Sequence, residues 1–264
     1  MDLPQELIDS IVDAIVDEVD LAQDPWIIDN SIEVLETLRS CALVAHVFLR
    51  PCQTYIFHGL TLSDEERISP EAFSDLFTAR PHLASYVRAL YFEYKAVEEH
   101  LEPITHILAS VTNLARLDIY PTPESSWYSY PVPLQESFSA AFALASMHHI
   151  TLWYFCFHDA SELQTLLSES TGLKTLVLRS ITFDSTELPD ETPPEVVPQV
   201  ALDSLQMYFL DAAHVQAILG SFSTIDVTQL RSIYLHNTPM KSLLKLNAPS
   251  IRRVKIRAYY SGVC

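Results

Sequence analysis

Ten histidines, four cysteines and thirty-four carboxylates raise the question of a reactive centre. His148 and His149 are adjacent, and Cys156 precedes His158 by two positions, the alternation of a strand face. A thiolate beside an imidazole would be a nucleophile, and the same pair could bind a metal. Both pairs also read as ordinary strand residues, and no HExxH or CxxC spacing completes a ligand set. Glu6, Asp9, Asp13 and Asp17 recur at helical intervals along one solvated face, not as a general acid opposed to a base. Ser, His and Asp residues are scattered without a local signature of a triad. Four glycines in 264 residues leave no GxGxxG, no Walker phosphate loop and no GxSxG elbow. The sequence therefore designates no catalytic residue, no metal ligand and no cofactor site, and function has to be sought in how its surfaces are built.

The elements that would build them come from a chain that is 48% hydrophobic, enough to fill a sizeable core. Its net charge of −18 is uneven: −9 over residues 1–50, −13 over 51–200 and +4 over 201–264. Such a field repels nucleic-acid and membrane phosphates over most of the surface, so neither is expected as a partner. No stretch approaches the roughly 18 apolar residues of a membrane span, and acids rather than a basic segment follow Met1. Cys41, Cys52, Cys156 and Cys264 lack disulfide or zinc spacing, which predicts reduced thiols in the cytoplasm or nucleus.

Pro4 suits the first turn of a helix, where its missing N–H costs nothing, and Glu6 complements the positive end of the helix dipole. Leu7, Ile8, Ile11, Val12, Ile15, Val16 and Val19 then step by threes and fours. Asp24-Pro25 interrupts the pattern, Asn30 and Glu33 form a capping-box spacing, and a second helix is predicted from about Ser31 until Pro51 stops it, with a break near Ser40. Leu35, Leu38, Cys41, Ala42, Ala45 and Phe48 form its apolar stripe.

The opening Leu3-Pro4-Gln5-Glu6-Leu7-Ile8, followed by Ile11 and later by Leu43-Val44 with Phe48 four residues on, resembles the F-box, with its LPxEL start and its LV-containing close. The resemblance implies docking on a Skp-type adaptor and, through it, on a cullin-based SCF ubiquitin ligase. Leu3, Pro4, Leu7, Ile8, Ile11, Leu43, Val44 and Phe48 would form or support the adaptor-binding surface. The spacing between the two motifs is longer than in a compact F-box, so residues 18–30 read as an insertion.

From residue 87 a phrase recurs, apolar at its first, fourth and sixth positions: Val87-Leu90-Phe92, Leu114-Leu117-Ile119, Met147-Ile150-Leu152, Leu173-Leu176-Leu178, Leu202-Leu205-Met207, Leu230-Ile233-Leu235 and Ile251-Val254-Ile256. Successive starts lie 21 to 33 positions apart, the range of leucine-rich repeats. Helical patterns at 97–110, 134–145, 161–169, 212–219 and near 240–246 alternate with the phrases. The asparagine usual a few residues after the last leucine is missing from the pattern, and two Pro-rich stretches, 121–133 and 184–200, are expected to be extended or mobile. The predicted fold is α/β: an N-terminal helical F-box-like unit over 1–60, then an irregular leucine-rich-repeat-like solenoid over 61–264, its parallel strands on the concave face and its helices outside. Together the halves resemble the F-box/LRR family, which implies a non-enzymatic receptor whose repeats hold a target protein.

In the phrase the apolar residues point inward, so those between and just after them face out of the sheet. Two ladders follow. The first is Tyr91, Asp118, Thr151, Val177, Gln206, Tyr234 and Lys255; the second is Glu93, Tyr120, Trp153, Arg179, Tyr208, His236 and Arg257. Tyr91, Asp118, Tyr120, Trp153, Arg179, Tyr208, Tyr234, His236 and Lys255 are the candidate target contacts, because interface hot spots favour aromatics and arginine. The same residues would also serve as ordinary exposed strand positions, and the residues alone leave open a free-standing repeat scaffold, with the helices as a cap, and a hydrolase seated in the irregular loops.

Overall fold

The computed structural model describes residues 4–16, 31–64, 68–93, 97–121, 126–185, 200–219, 225–238 and 250–257. In chain order the helices are α1 (Gln5–Val16), α2 (Ser31–Val44), α3 (His46–Ile56), α4 (Pro70–Ala79), α5 (Pro81–Ala84), α6 (Leu101–Ser110), α7 (Val132–Phe142), α8 (Ala160–Ser168) and α9 (Ala212–Leu219). The strands are β1 (Gly59–Ser63), β2 (Ala89–Glu93), β3 (Arg116–Ile119), β4 (His149–Trp153), β5 (Cys156–Phe157), β6 (Thr175–Arg179), β7 (Thr182–Phe183), β8 (Val200–Ala201), β9 (Ser204–Tyr208), β10 (Ile225–Asp226), β11 (Ser232–His236) and β12 (Arg253–Arg257).

Eight strands form one parallel sheet in the order β1-β2-β3-β4-β6-β9-β11-β12, so each long strand is laid beside its predecessor in the sequence. The register keeps the apolar phrase in phase. Leu90, Leu117, Ile150, Leu176, Leu205, Ile233 and Val254 are successive partners, as are Phe92, Ile119, Leu152, Leu178, Met207, Leu235 and Ile256. Because side chains alternate along a strand, one face of the sheet is lined throughout by these residues. That face takes the helices: Phe77 of α4, Ile104 and Ile107 of α6, Phe138 of α7, Leu163 of α8 and Ile218 of α9 join it in a single buried core. Each fully covered aliphatic or Phe side chain there contributes about 1.5–3 kcal/mol.

Local chemistry starts and ends these elements. Pro70 and Pro81 open their helices at positions where no N–H is needed, and Asp159 caps α8 by accepting the Glu162 amide at 3.0 Å while Glu162 reaches back to the amide of His158 at 2.8 Å. At the opposite end of four strands, the chain leaves through a left-handed residue: Tyr154, Ser180, Phe209 and Asn237 hold φ between 49° and 56°. Each donates its amide to the last residue of the next strand, Arg179, Tyr208, His236 and Arg257, at 2.8–2.9 Å. A turn of one shape is thus repeated four times without a glycine, and its fourth copy places Asn237 two residues after Leu235.

Several expectations change. The sheet begins one strand before the first phrase, at β1, where Phe57-Leu60-Leu62 is a further copy of the three-point spacing, with Leu60 and Leu62 in the core and Phe57 packed against it. The break in the second helical segment falls at Ala45, with extended backbone (φ −152°, ψ 142°), not near Ser40. Pro51 lies inside α3 instead of ending it, because Cys52, Phe48 and Tyr55 bury against α1 and α2 and outweigh the missing helix hydrogen bond. The stretch 121–133 is not simply extended: Trp127 and Tyr130 are buried among Phe92, Phe138, Phe155 and Phe157, with ring centroids 5.2–6.5 Å apart. Asn30, residues 186–199 and the pattern near 240–246 lie outside the described residues.

Candidate functional site

α1, α2 and α3 pack around a small core of their own, Val12, Val16, Leu38 and Cys52, ringed by Ile15, Val34, Cys41, Ala42, Phe48, Tyr55 and Ile56. The Tyr55 hydroxyl donates to Asp13 at 2.7 Å and ties α3 to α1. Two adjacent apolar stripes run along α1, and the core uses only one. Ile8, Val12 and Val16 are inside, whereas Leu7 and Ile11, one turn apart, are 51% and 44% exposed. At the α2–α3 junction Leu43 is 87% exposed, Val44 80% and Val47 45%. Since the extended Ala45 swings the chain into a new helix, no turn of α2 remains to cover Leu43 and Val44.

Of the residues assigned to the adaptor, Pro4, Leu7, Ile11, Leu43 and Val44 are on the surface. Ile8 is not; at 1% exposed it is a core residue and offers a partner nothing. Phe48 is half-buried against the three-helix core and supports the surface from below. Leu3 lies outside the described residues. Val47 belongs to neither motif; only the helix break at Ala45 brings it to the surface.

The other candidate surface is the sheet face that carries no helix among the described residues. Both ladders assemble there in register: Tyr91, Asp118, Thr151, Val177, Gln206, Tyr234 and Lys255 are successive partners, and so are Trp153, Arg179, Tyr208, His236 and Arg257. Their side chains stack along the sheet. Tyr91 meets Tyr120 at 4.5 Å between centroids, Tyr120 meets Trp153 at 4.3 Å, and Arg179 lies over Trp153 with Cζ 3.9 Å from the ring centroid. Beyond it come Tyr208 with Tyr234 at 5.1 Å, Tyr208 with His236 at 5.7 Å, and Lys255 Nζ 5.2 Å over Tyr234.

The two ends of the face differ. Tyr91, Asp118 and Tyr120 are buried, so three of the expected target contacts are packing residues. The Tyr91 hydroxyl donates to Glu93 at 2.9 Å, and burial, then Glu93, holds that phenol far above its usual pKa. Asp118 accepts from Arg116 Nε at 2.6 Å, its pKa pushed up by burial against the opposing pull of Arg116 and Thr151. His149 is hydrogen-bonded to Thr151 at 3.0 Å, and burial, then the Arg116 charge, lowers its pKa to about 4. Trp153, Arg179, Tyr208, Tyr234 and His236 are half-buried and Lys255 is exposed. The accessible part of the face is therefore its β4–β12 half.

Among the described residues no group of three His, Cys, Asp or Glu side chains is placed to hold a metal ion. The Cys156 thiol donates to Asp184 at 3.2 Å and is held above its usual pKa, chiefly by burial, which opposes thiolate formation. His158 donates its amide to Glu162 at 2.8 Å and accepts the Ser185 amide at its carbonyl at 2.9 Å. No helix among the described residues is long and apolar enough to cross a membrane. No protein-family model matches the chain, and no curated protein matches it.

Proposed function

We propose that this chain is the target-recognition subunit of an SCF-type ubiquitin ligase, in which a helical F-box-like unit docks on a Skp-type adaptor and a leucine-rich-repeat-like solenoid holds the target protein. The observation that carries the reading is the pair of uncovered apolar clusters, Leu7 with Ile11 and Leu43 with Val44, at the two motifs that resemble the F-box. A helix that only capped the sheet would turn such residues inward, since each one covered adds about 1.5–3 kcal/mol. Left in water on helices that already own a core, they suit an interface. The in-phase parallel strands support the solenoid half of the reading, and the half-buried aromatics with Arg179 and Lys255 support protein recognition there. In this role the chain does no chemistry; ubiquitin transfer belongs to its partners, in the cytoplasm or nucleus.

The test is co-expression with a Skp-type adaptor and affinity purification of the complex. The wild type retains the adaptor and the cullin behind it, whereas Leu7→Asp and Val44→Asp release both. Retention by both variants removes the assigned surface, and failure of the wild type to hold any adaptor leaves a free-standing repeat scaffold.

A further inference from the structure

In a chain of net charge −18, the outward positions of β6, β9, β11 and β12 hold Arg179, Arg253, Lys255 and Arg257 and, among the described residues, no carboxylate. This is the reverse of the molecule as a whole. Within it Arg179 is singular. Its guanidinium lies 3.9 Å over Trp153 and is flanked by the rings of Tyr208 at 5.8 Å and Phe209 at 5.5 Å. Among the described residues none of the ion pairs includes it, and its buried Nε has no hydrogen-bond partner among them.

A guanidinium in this state has given up part of its hydration to aromatic faces without gaining a counter-charge from the described residues. Stacking fixes its plane, so little further side-chain freedom is lost when its remaining N–H groups take a ligand. Planar, bidentate geometry matches a carboxylate. Lys255 is held over Tyr234 in a similar way, three strands further on. At about 4.8 Å per strand, with an offset along the strand, the two cations are ~15 Å apart. No single phosphate bridges that distance, but an extended chain advancing about 3.3 Å per residue does so in four to five residues.

We infer that this half of the sheet binds an extended acidic segment of the target protein, one Asp or Glu seated on Arg179 and a second, four to five residues away, on Lys255. The inference rests on the target-recognition half of the proposed function and names what that surface selects. Nucleic acid, which also combines negative charge with flat rings, fits less well: a polyanion would run off the patch onto a surface that repels it.

The experiment uses the full chain and fluorescein-labelled ten-residue peptides carrying two aromatics and, at positions 3 and 7, Glu, Gln or phosphoserine, with a twelve-nucleotide single-stranded RNA as a fourth probe. Fluorescence anisotropy at 150 mM salt gives the affinities. The Glu peptide is expected to bind at least tenfold more tightly than the Gln peptide, and Arg179→Gln to remove that margin while Arg80→Gln, at the end of α4, changes it less than twofold. Unchanged thermal melting of Arg179→Gln separates loss of the site from loss of the fold. Equal binding of Glu and Gln peptides, binding of the phosphoserine peptide or the RNA alone, or indifference to Arg179→Gln overturns the inference. Adaptor retention is assayed on the same preparations: a chain that keeps the adaptor but ignores the Glu peptide sinks this inference only, and one that binds the peptide without the adaptor sinks only the ligase reading.

Discussion

Tyr154 and Ser180 leave neighbouring strands through the same left-handed turn, at φ 53° and 51°, each donating its amide to the strand that follows. Side chains with a Cβ occupy this region at a cost of roughly 1–2 kcal/mol, which Asn reduces. The fourth copy of the turn already has Asn237. Ser180→Asn should therefore raise stability by about 0.5–1 kcal/mol, read as an increase in the urea midpoint at constant slope. An unchanged or lower midpoint would mean that the turn is not strained.

The repeat was legible because its signal is redundant: Leu117, Ile150, Leu176 and Leu205 are separately apolar and jointly in register, so no single deviation hides the sheet. The two outward ladders followed from period-two alternation alone. The copy at Phe57-Leu60-Leu62 is equally local, but the remaining differences are tertiary. Nothing in the local sequence says that Tyr91 and Tyr120 will be closed over while Trp153 stays accessible, or that Trp127 will be drawn into the core from a Pro-rich stretch. The repeated turn was invisible because Tyr, Ser and Phe are not residues that advertise positive φ. At the amino end both apolar stripes of α1 were visible, but which one faces the core depends on where α3 packs, so Ile8 was grouped with Leu7.

Arg116 and Asp118 form a pair in which the acid is 2% exposed and the base is nearer the solvent. Removing the base leaves an uncompensated buried charge, so Arg116→Gln should cost about 3 kcal/mol at pH 7. Asp118→Asn keeps the shape and removes the charge, and should cost less. Since burial raises the folded pKa of Asp118, the ionised acid opposes folding above its folded pKa and ceases to do so as pH falls through that value. The deficit of Arg116→Gln relative to wild type should thus shrink towards acid pH. Urea titrations at pH 7 and pH 4.5 check both the order and the trend.

His149 works in the opposite direction. Its folded pKa, lowered to about 4, lies below the ordinary 6.5, so between those limits the unfolded chain holds more protons. Its contribution is intact above pH 6.5 and is lost as pH falls towards 4, with a slope of up to ~1.4 kcal/mol per pH unit. His149→Gln, which retains a partner for Thr151, should flatten the stability profile across that window while changing little at pH 8. Identical profiles for variant and wild type would show that the imidazole protonates as easily in the fold as outside it.

Gly172 sits where a Cβ would lie 2.8 Å from the carbonyl oxygens of both Ala145 and Met147. Backbone cannot yield as a flexible side chain does, so Gly172→Ala should destabilise by about 1–3 kcal/mol through forced separation of adjoining turns. At Gly59, where nothing lies within 4 Å, alanine should change stability by less than about 0.5 kcal/mol. Thermal melts of the two variants, run side by side, distinguish steric crowding from a general intolerance of alanine.

The amino-terminal helices allow stability and docking to be separated residue by residue. Leu43 and Val44 are almost wholly exposed, so Leu43→Ala and Val44→Ala should alter stability by no more than about 0.5 kcal/mol. Ile8 is 1% exposed, and Ile8→Ala should cost about 2–4 kcal/mol. If the exposed residues seat an adaptor, the order reverses in a binding assay. The double variant Leu43→Ala/Val44→Ala should weaken adaptor binding at least tenfold, whereas Ile8→Ala, kept below its melting temperature, should bind nearly as wild type. Calorimetric titration of purified adaptor into each folded variant makes the comparison. If instead affinity fell in proportion to lost stability across the three, the adaptor would be sensing the integrity of the helical unit, and Leu43 and Val44 would lose their place as its contacts.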